Sequence, residues 1–213
     1  MDKSFWLNKW QNQELAFHQA DANPYLVEFW PQLALAQDTE VLVPLCGKSL
    51  DMVWLAQQGH SVLGVELSSL AVEDFFATLG LVPEIAESGS LLRYQADAWT
   101  LLQGDFFALP PVEVGAVFDR AALVALPADM RVRYVEHLLA VIPRSAPILL
   151  VVFEYEQQVM AGPPFSVNSD EIFQLFAPHR SVTLLTQADV LSTYPSFQAR
   201  GLNALVEKVY WLV

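Results

Sequence analysis

Short apolar runs alternate with amphipathic segments along most of this chain, and that alternation constrains its fold more than any other feature. Residues 41–45, 61–67, 114–118 and 147–155 read as buried strands. Residues 50–58, 70–79, 130–142 and 170–176 carry apolar side chains at helical spacing, and Gly59 is placed to stop the first of these helices. Strand and helix taken in turn predict an α/β, doubly wound, mostly parallel sheet with ligands at the carboxyl ends of its strands. Residues 91–103 hold a third strand or a hairpin, and 181–186 and 204–213 predict two closing strands that can run antiparallel. The expected sheet therefore has about seven strands.

Residues 1–37 do not join the alternation and read as helical segments laid over the sheet. Trp6, Trp10 and Trp30 fall here with Phe5, Phe17, Phe29 and Tyr25. Trp6 and Trp10 stand four apart and share a face if their segment is helical. Two readings are open: a helix packed on the core, or an aromatic lid over a ligand. No linker or repeat divides the 213 residues, so one domain is expected, with 1–37 as its helical cover.

The charge balance narrows the partners. Against 24 Asp and Glu stand 11 Lys and Arg, a net charge of −13. Neither a nucleic acid nor an anionic membrane surface suits such a chain, because both need clustered cations. The longest apolar run, 148–153, is far short of the ~20 residues of a membrane span. One cysteine, Cys46, excludes an internal disulfide, and His18, His60, His137 and His179 lack metal-ligand spacing, so no metal site is expected. A cytoplasmic monomer acting on a small molecule is the expectation.

The segment from Val41 to Val72 carries the cofactor signal. A strand runs into Pro44-Leu45-Cys46-Gly47-Lys48, and a helix starts at Ser49, a good N-cap, with Asp51 favourable in its first turn. The second strand ends at Glu66, 19 residues after Gly47. An acid at that spacing grips ribose hydroxyls in nucleoside-binding folds, since a carboxylate accepts two hydrogen bonds from a diol. Only one glycine of the G-x-G-x-x-G cradle is present. A pyrophosphate is thus poorly supported, and a nucleoside ligand without phosphate, such as S-adenosylmethionine, fits better.

Two further segments lie where strands should end. Gly104-Asp105-Phe106-Phe107 can set a carboxylate and a backbone N–H on an adenine, or be a turn with core phenylalanines. Asp119-Arg120 closes an apolar run, so its guanidinium either faces a ligand or braces the strand end through Asp119.

Several longer motifs occur in a fixed order. They are FW-x3-W with FHQ downstream, PLCGKSLDM, GVELS, GDFF, DRAALVALP-x2-MR and GPPFSV, at 5–19, 44–52, 64–68, 104–107, 119–131 and 162–167. Together they resemble the thiopurine S-methyltransferase family, in its compact bacterial form. The resemblance implies the seven-stranded class I methyltransferase fold and S-adenosylmethionine as donor, with S-adenosylhomocysteine as product. It places donor contacts on Trp10, Leu45, Glu66 and Arg120, beside the Gly47 turn read above as cofactor-binding, and adenine contacts on Asp105 and Phe106. It places Phe17 over the acceptor, with Trp6 in the same cover and Arg120 also facing the acceptor. It implies thiopurines and related small aromatic thiols as acceptors, and extends to selenium and tellurium species and metalloid resistance. It assigns no role to Asp119 or His18, and residues 191–200 match nothing in it.

No residue is expected to act as a dedicated catalytic group. A sulfonium is already activated and an aromatic thiol ionises readily, so orientation and exclusion of water suffice. Cys46 is expected to be a small side chain beside the ligand, not a nucleophile. Another adenosine-cofactor enzyme and a catalytically silent ligand-binding protein on the same fold are the alternatives.

Overall fold

The computed structural model describes residues 3–15 and 18–213, which fold as two compact units. The first comprises Met1–Phe118 and Ala140–Pro143. It opens with helices α1 (Lys3–Gln11) and α2 (Pro24–Phe29), the latter running into a 3-10 turn at Trp30–Leu33. Then come β1 (Glu40–Pro44), α3 (Leu50–Gln57), β2 (Ser61–Glu66) and α4 (Ser69–Thr78). Strands β3 (Glu84–Ser88), β4 (Leu91–Ala96), β5 (Trp99–Gln103) and β6 (Ala116–Asp119) follow, Asp119 itself opening the second unit. The order across this unit is β3-β4-β5-β2-β1-β6.

Strands β5, β2, β1 and β6 are parallel, with Val41 opposite Val62 and Ala116, and Val62 opposite Trp99. Val41, Leu42, Val62, Val65, Leu101 and Val117 are all buried, as expected of parallel strands covered on both faces. Each such side chain contributes roughly 1.5–3 kcal/mol on burial. The helix after β1 starts where its cap is: Ser49 Oγ accepts from Asp51 N–H, and Gly59 follows the helix at φ +91°. Asp51 does more than favour the helix dipole. Its buried carboxylate takes a hydrogen bond from Asn23 N–H at 2.6 Å and from Ser49 Oγ at 2.7 Å. Asn23 caps α2 in turn, so the residue that opens α3 also anchors the N-terminal helices.

The second unit comprises Asp119–Leu139 and Arg144–Val213. It holds α5 (Ala122–Ala125), most of α6 (Ala128–Val141), β7 (Ile148–Glu154), α7 (Ser169–Phe176), β8 (Val182–Asp189), α8 (Pro195–Gln198) and β9 (Val206–Leu212). The order here is β7-β9-β8, every pairing antiparallel, with an irregularity between Leu184 and Thr186. The two closing strands are thus antiparallel to their neighbours. Arg131 of α6 staples this unit. Its Nε and Nη2 bind the two Glu171 oxygens at 2.6 and 2.9 Å, and Nη1 donates to the Leu126 carbonyl at 3.0 Å.

Among the described residues there are nine strands, two more than the alternation suggests. Residues 91–103 form a hairpin, β4 with β5, and β3 adds an antiparallel edge. The sequence of β3, Glu-Ile-Ala-Glu-Ser, is mostly exposed and has no apolar alternation to give it away. Its two glutamates suit an edge that must not pair further.

Candidate functional site

The first unit gathers its chemistry at the carboxyl ends of β1, β2 and β5. After Pro44 the chain turns sharply, with Leu45 at φ +48° and Gly47 at φ +54°. A Cβ on Gly47 would lie 3.1 Å from Cζ2 of Trp10, so both backbone and indole require glycine there. Trp10 is the buried residue of α1 and rests on this turn.

Glu66 joins three loops. Its Oε2 accepts from Gly47 N–H and its Oε1 from Ser68 N–H, both at 2.8 Å. Its carbonyl accepts from Gly104 N–H at 2.8 Å. Burial raises the carboxyl's pKa, and the amides of Ser68 and Gly47 oppose that shift. The Leu67 amide bonds to the carboxylate as well, so three of its four lone-pair sites are engaged by backbone N–H groups.

Asp105 follows at the Gly104 turn. Its Oδ1 accepts from Phe107 N–H at 3.1 Å, and Oδ2 pairs with Lys3 Nζ at 2.7 Å. Phe106 is buried and stands edge-on to Phe107, centroids 6.2 Å apart. Helix α1 therefore reaches Asp105 through Lys3 and Gly47 through Trp10. Trp6, half-buried between them in sequence, meets Phe5 edge-on at 5.3 Å. Seven sequence-predicted residues, Trp6, Trp10, Leu45, Gly47, Glu66, Asp105 and Phe106, thus belong to this first unit. Phe17 lies outside the described residues. Cys46 is buried, and burial first, Glu66 second, push its thiol well above the usual range. It is held as a neutral thiol, which does not suit nucleophilic attack.

Arg120 belongs to the second unit, directly after β6. The preceding Asp119 is buried and accepts a hydrogen bond from Tyr134 Oη at 2.7 Å. The GPPFSV segment is fixed beside it by backbone and side chain. Phe165 N–H donates to the Val124 carbonyl at 2.7 Å, and Tyr155 Oη to the Pro164 carbonyl at 2.6 Å. Phe153, Tyr194 and Phe197 form an aromatic group, Tyr194 stacked on Phe197 at 5.4 Å. That places part of residues 191–200 in a packed cluster with Leu191, Leu202 and Leu205.

Sequence reasoning missed Glu207 of β9, an acid within the apolar run 204–213. It is 5 % exposed. Burial pushes its carboxyl up to about 7, against a smaller downward pull from Arg120. The consequence for stability follows from linkage. A folded value above the ordinary 4.5 means the native state binds the extra proton. The contribution of Glu207 to stability is therefore fully present below pH 4.5 and is lost as pH rises through about 7. Glu207→Gln should flatten that fall, raising stability at pH 8 relative to the parent by about 3 kcal/mol. Urea unfolding at pH 5 and 8 measures it, and parallel losses in parent and variant would refute the assignment.

Comparison with known proteins bears on these loops. Similar architectures include an N1-methyltransferase from Burkholderia thailandensis, crystallised with 1,6-didemethyltoxoflavin and S-adenosylhomocysteine, at TM-score 0.66 and 14 % identity, covering 99 % of this chain and 87 % of that one. A glycopeptide N-methyltransferase complexed with sinefungin matches at TM-score 0.59 and 15 % identity, covering 92 % of this chain and 87 % of the other. The fold is thus that of the class I, S-adenosylmethionine-dependent methyltransferases. The profile of the thiopurine S-methyltransferase family matches residues 1–213, and the chain belongs to that family. A relative of that name from Nitrosospira multiformis is 46 % identical over 100 % of this chain and 98 % of its own length. Another, from Bordetella petrii, is 48 % identical at the same coverage. The chain is a methyltransferase whose donor is S-adenosylmethionine.

Proposed function

We propose that this enzyme methylates the sulfur of small, flat, neutral thiols and thiones, with thiopurines as representative acceptors. The observation that carries the acceptor class is kinship along the full chain with proteins named for that activity. Aromatic side chains at the glycine turn support it, since a flat apolar acceptor gains from such surroundings.

The residues of the first unit fit the donor. Glu66 would accept from the ribose diol with the acceptor capacity its three amides leave free. Gly47 would let backbone approach the ligand, with Leu45 in the same turn. Asp105 and Phe106 would meet the adenine, and the face of Trp10 would border the cationic sulfur, an arrangement favourable by ~0.5–2 kcal/mol. Arg120, Phe17 and Trp6 carry the roles the family resemblance gives them. When bound, the donor supplies a methyl group already activated on a sulfonium. What the chain adds is orientation and exclusion of water. The proton of the acceptor thiol leaves without a dedicated base. Action as a cytoplasmic monomer, with no nucleic acid or membrane partner, completes the proposal.

A panel of thiols, selenols, tellurium species, catechols and amines with labelled donor tests it. 6-Mercaptopurine and other soft nucleophiles should lead, because a site without a base cannot readily deprotonate a hydroxyl or ammonium. Catechols or amines outpacing every thiol by tenfold, ~1.4 kcal/mol in the barrier, would overturn the sulfur assignment.

A further inference from the structure

We infer that Asp119, locked by Tyr134, is a positioning residue that sets the backbone turn carrying Arg120. The reading rests on the role proposed above for Arg120. Helix α5 begins at Ala122, and the residue at its N-cap, Ala121, has no side chain able to cap it. The cap comes instead from two residues upstream. Asp119 Oδ1 accepts from Leu123 N–H at 3.4 Å, and Ala122 N–H also bonds to the carboxylate. Oδ2 accepts from Tyr134 Oη at 2.7 Å. Asp119 and Tyr134 are 1 % and 0 % exposed, so neither bond is shared with bulk water. The carboxylate therefore closes a ring from the end of β6, across Arg120 and Ala121, to the first turn of α5 and over to α6. Arg120 is held on both sides of its own backbone. The same short helix holds Phe165 through the Val124 carbonyl, so one carboxylate steadies both the arginine turn and the GPPFSV segment.

Charge matters to this cap. Ionised acceptors make shorter and stronger hydrogen bonds. Burial raises Asp119 to about 6, while Tyr134 and the Leu123 and Ala122 amides pull the other way. Tyr134 is the titratable group facing it from α6, the α5 amides face it from the other side, and Arg120 is its neighbour in the turn. Below pH 6 the carboxyl is neutral and its hold on α5 is weaker.

Steady-state kinetics with 6-mercaptopurine between pH 5 and 8 give the test, with donor saturating. The parent should lose about tenfold in acceptor kcat/KM as pH falls through about 6. Asp119→Asn should show the low plateau at every pH, with no limb. Tyr134→Phe removes a bond that favours the carboxylate, so its limb should move to higher pH. A limb unchanged in both variants would belong to the acceptor or to another group and would overturn the inference. Hydrogen exchange of residues 119–126 separates this from failure of the thiol reading. Exchange there should rise at least tenfold in Asp119→Asn even if no thiol is methylated. Unchanged exchange overturns the positioning role whatever the acceptor is. Should Asp119→Asn fail to fold, the Tyr134→Phe limb and exchange decide the matter alone.

Discussion

Glu66→Ala should weaken S-adenosylhomocysteine binding by 5- to 150-fold, about 1–3 kcal/mol. Two losses combine. The acceptors proposed for the ribose go, and the amides of Gly47 and Ser68 lose the oxygens that order their turns. Glu66→Gln separates the two, since an amide keeps the shape and one acceptor oxygen. It should fall between parent and alanine variant. Isothermal titration reads all three, and a dissociation constant unmoved in Glu66→Ala would remove Glu66 from the donor site.

The largest effect on stability is expected from Arg131→Ala. Arg131 is 4 % exposed and makes three hydrogen bonds, two of them to Glu171. Removing one partner of a buried pair strands the other, usually at 3–5 kcal/mol. Glu171 keeps some access to water, its side chain being 25 % exposed, so about 3 kcal/mol is expected here. For a chain of this size that lowers Tm by roughly 6–12 °C. Donor affinity should stay at the parent value when measured well below the new Tm. A Tm within 2 °C of the parent would mean that desolvation cancels the gain from the pair.

The contrast between these residues explains what could be read from sequence. Gly47 and Glu66 announce themselves because one βαβ unit fixes both and the spacing is local. Asp105 shows in the Gly-Asp-aromatic turn at a strand end, and in the structure that turn hydrogen-bonds to Glu66 through Gly104 N–H. The motif ending in Met130-Arg131 is equally distinctive in sequence, yet its arginine is a staple whose partner arrives from α7, forty residues on. Asp119 was legible as a strand-end acid but not as the partner of Tyr134, which lies on a separate helix. Glu207 gave only an acid inside an apolar run, and its surroundings come from β7, β8 and the Arg120 turn. Strand β3 left no apolar pattern because an exposed edge needs none. Local spacing marked the proposed donor loops, whereas Arg131, Glu207 and the Tyr134 contact depend on partners distant in sequence.

The docking of α1 has a consequence for the order in which the chain acquires structure. Trp10 rests on a turn that exists only once β1 and β2 have paired, and Lys3 meets Asp105 after β5 is in place. The last of those partners, Asp105, is encoded about a hundred residues downstream of the helix that seeks it. At ~5–20 residues per second, α1 leaves the ribosome some 5–20 s before Asp105 does. Short and apolar on one side, it is too small to be stably helical alone in that interval. The helix made first is therefore among the last to settle, and the indole that finally covers Gly47 spends the wait exposed to whatever binds aromatic side chains on nascent chains.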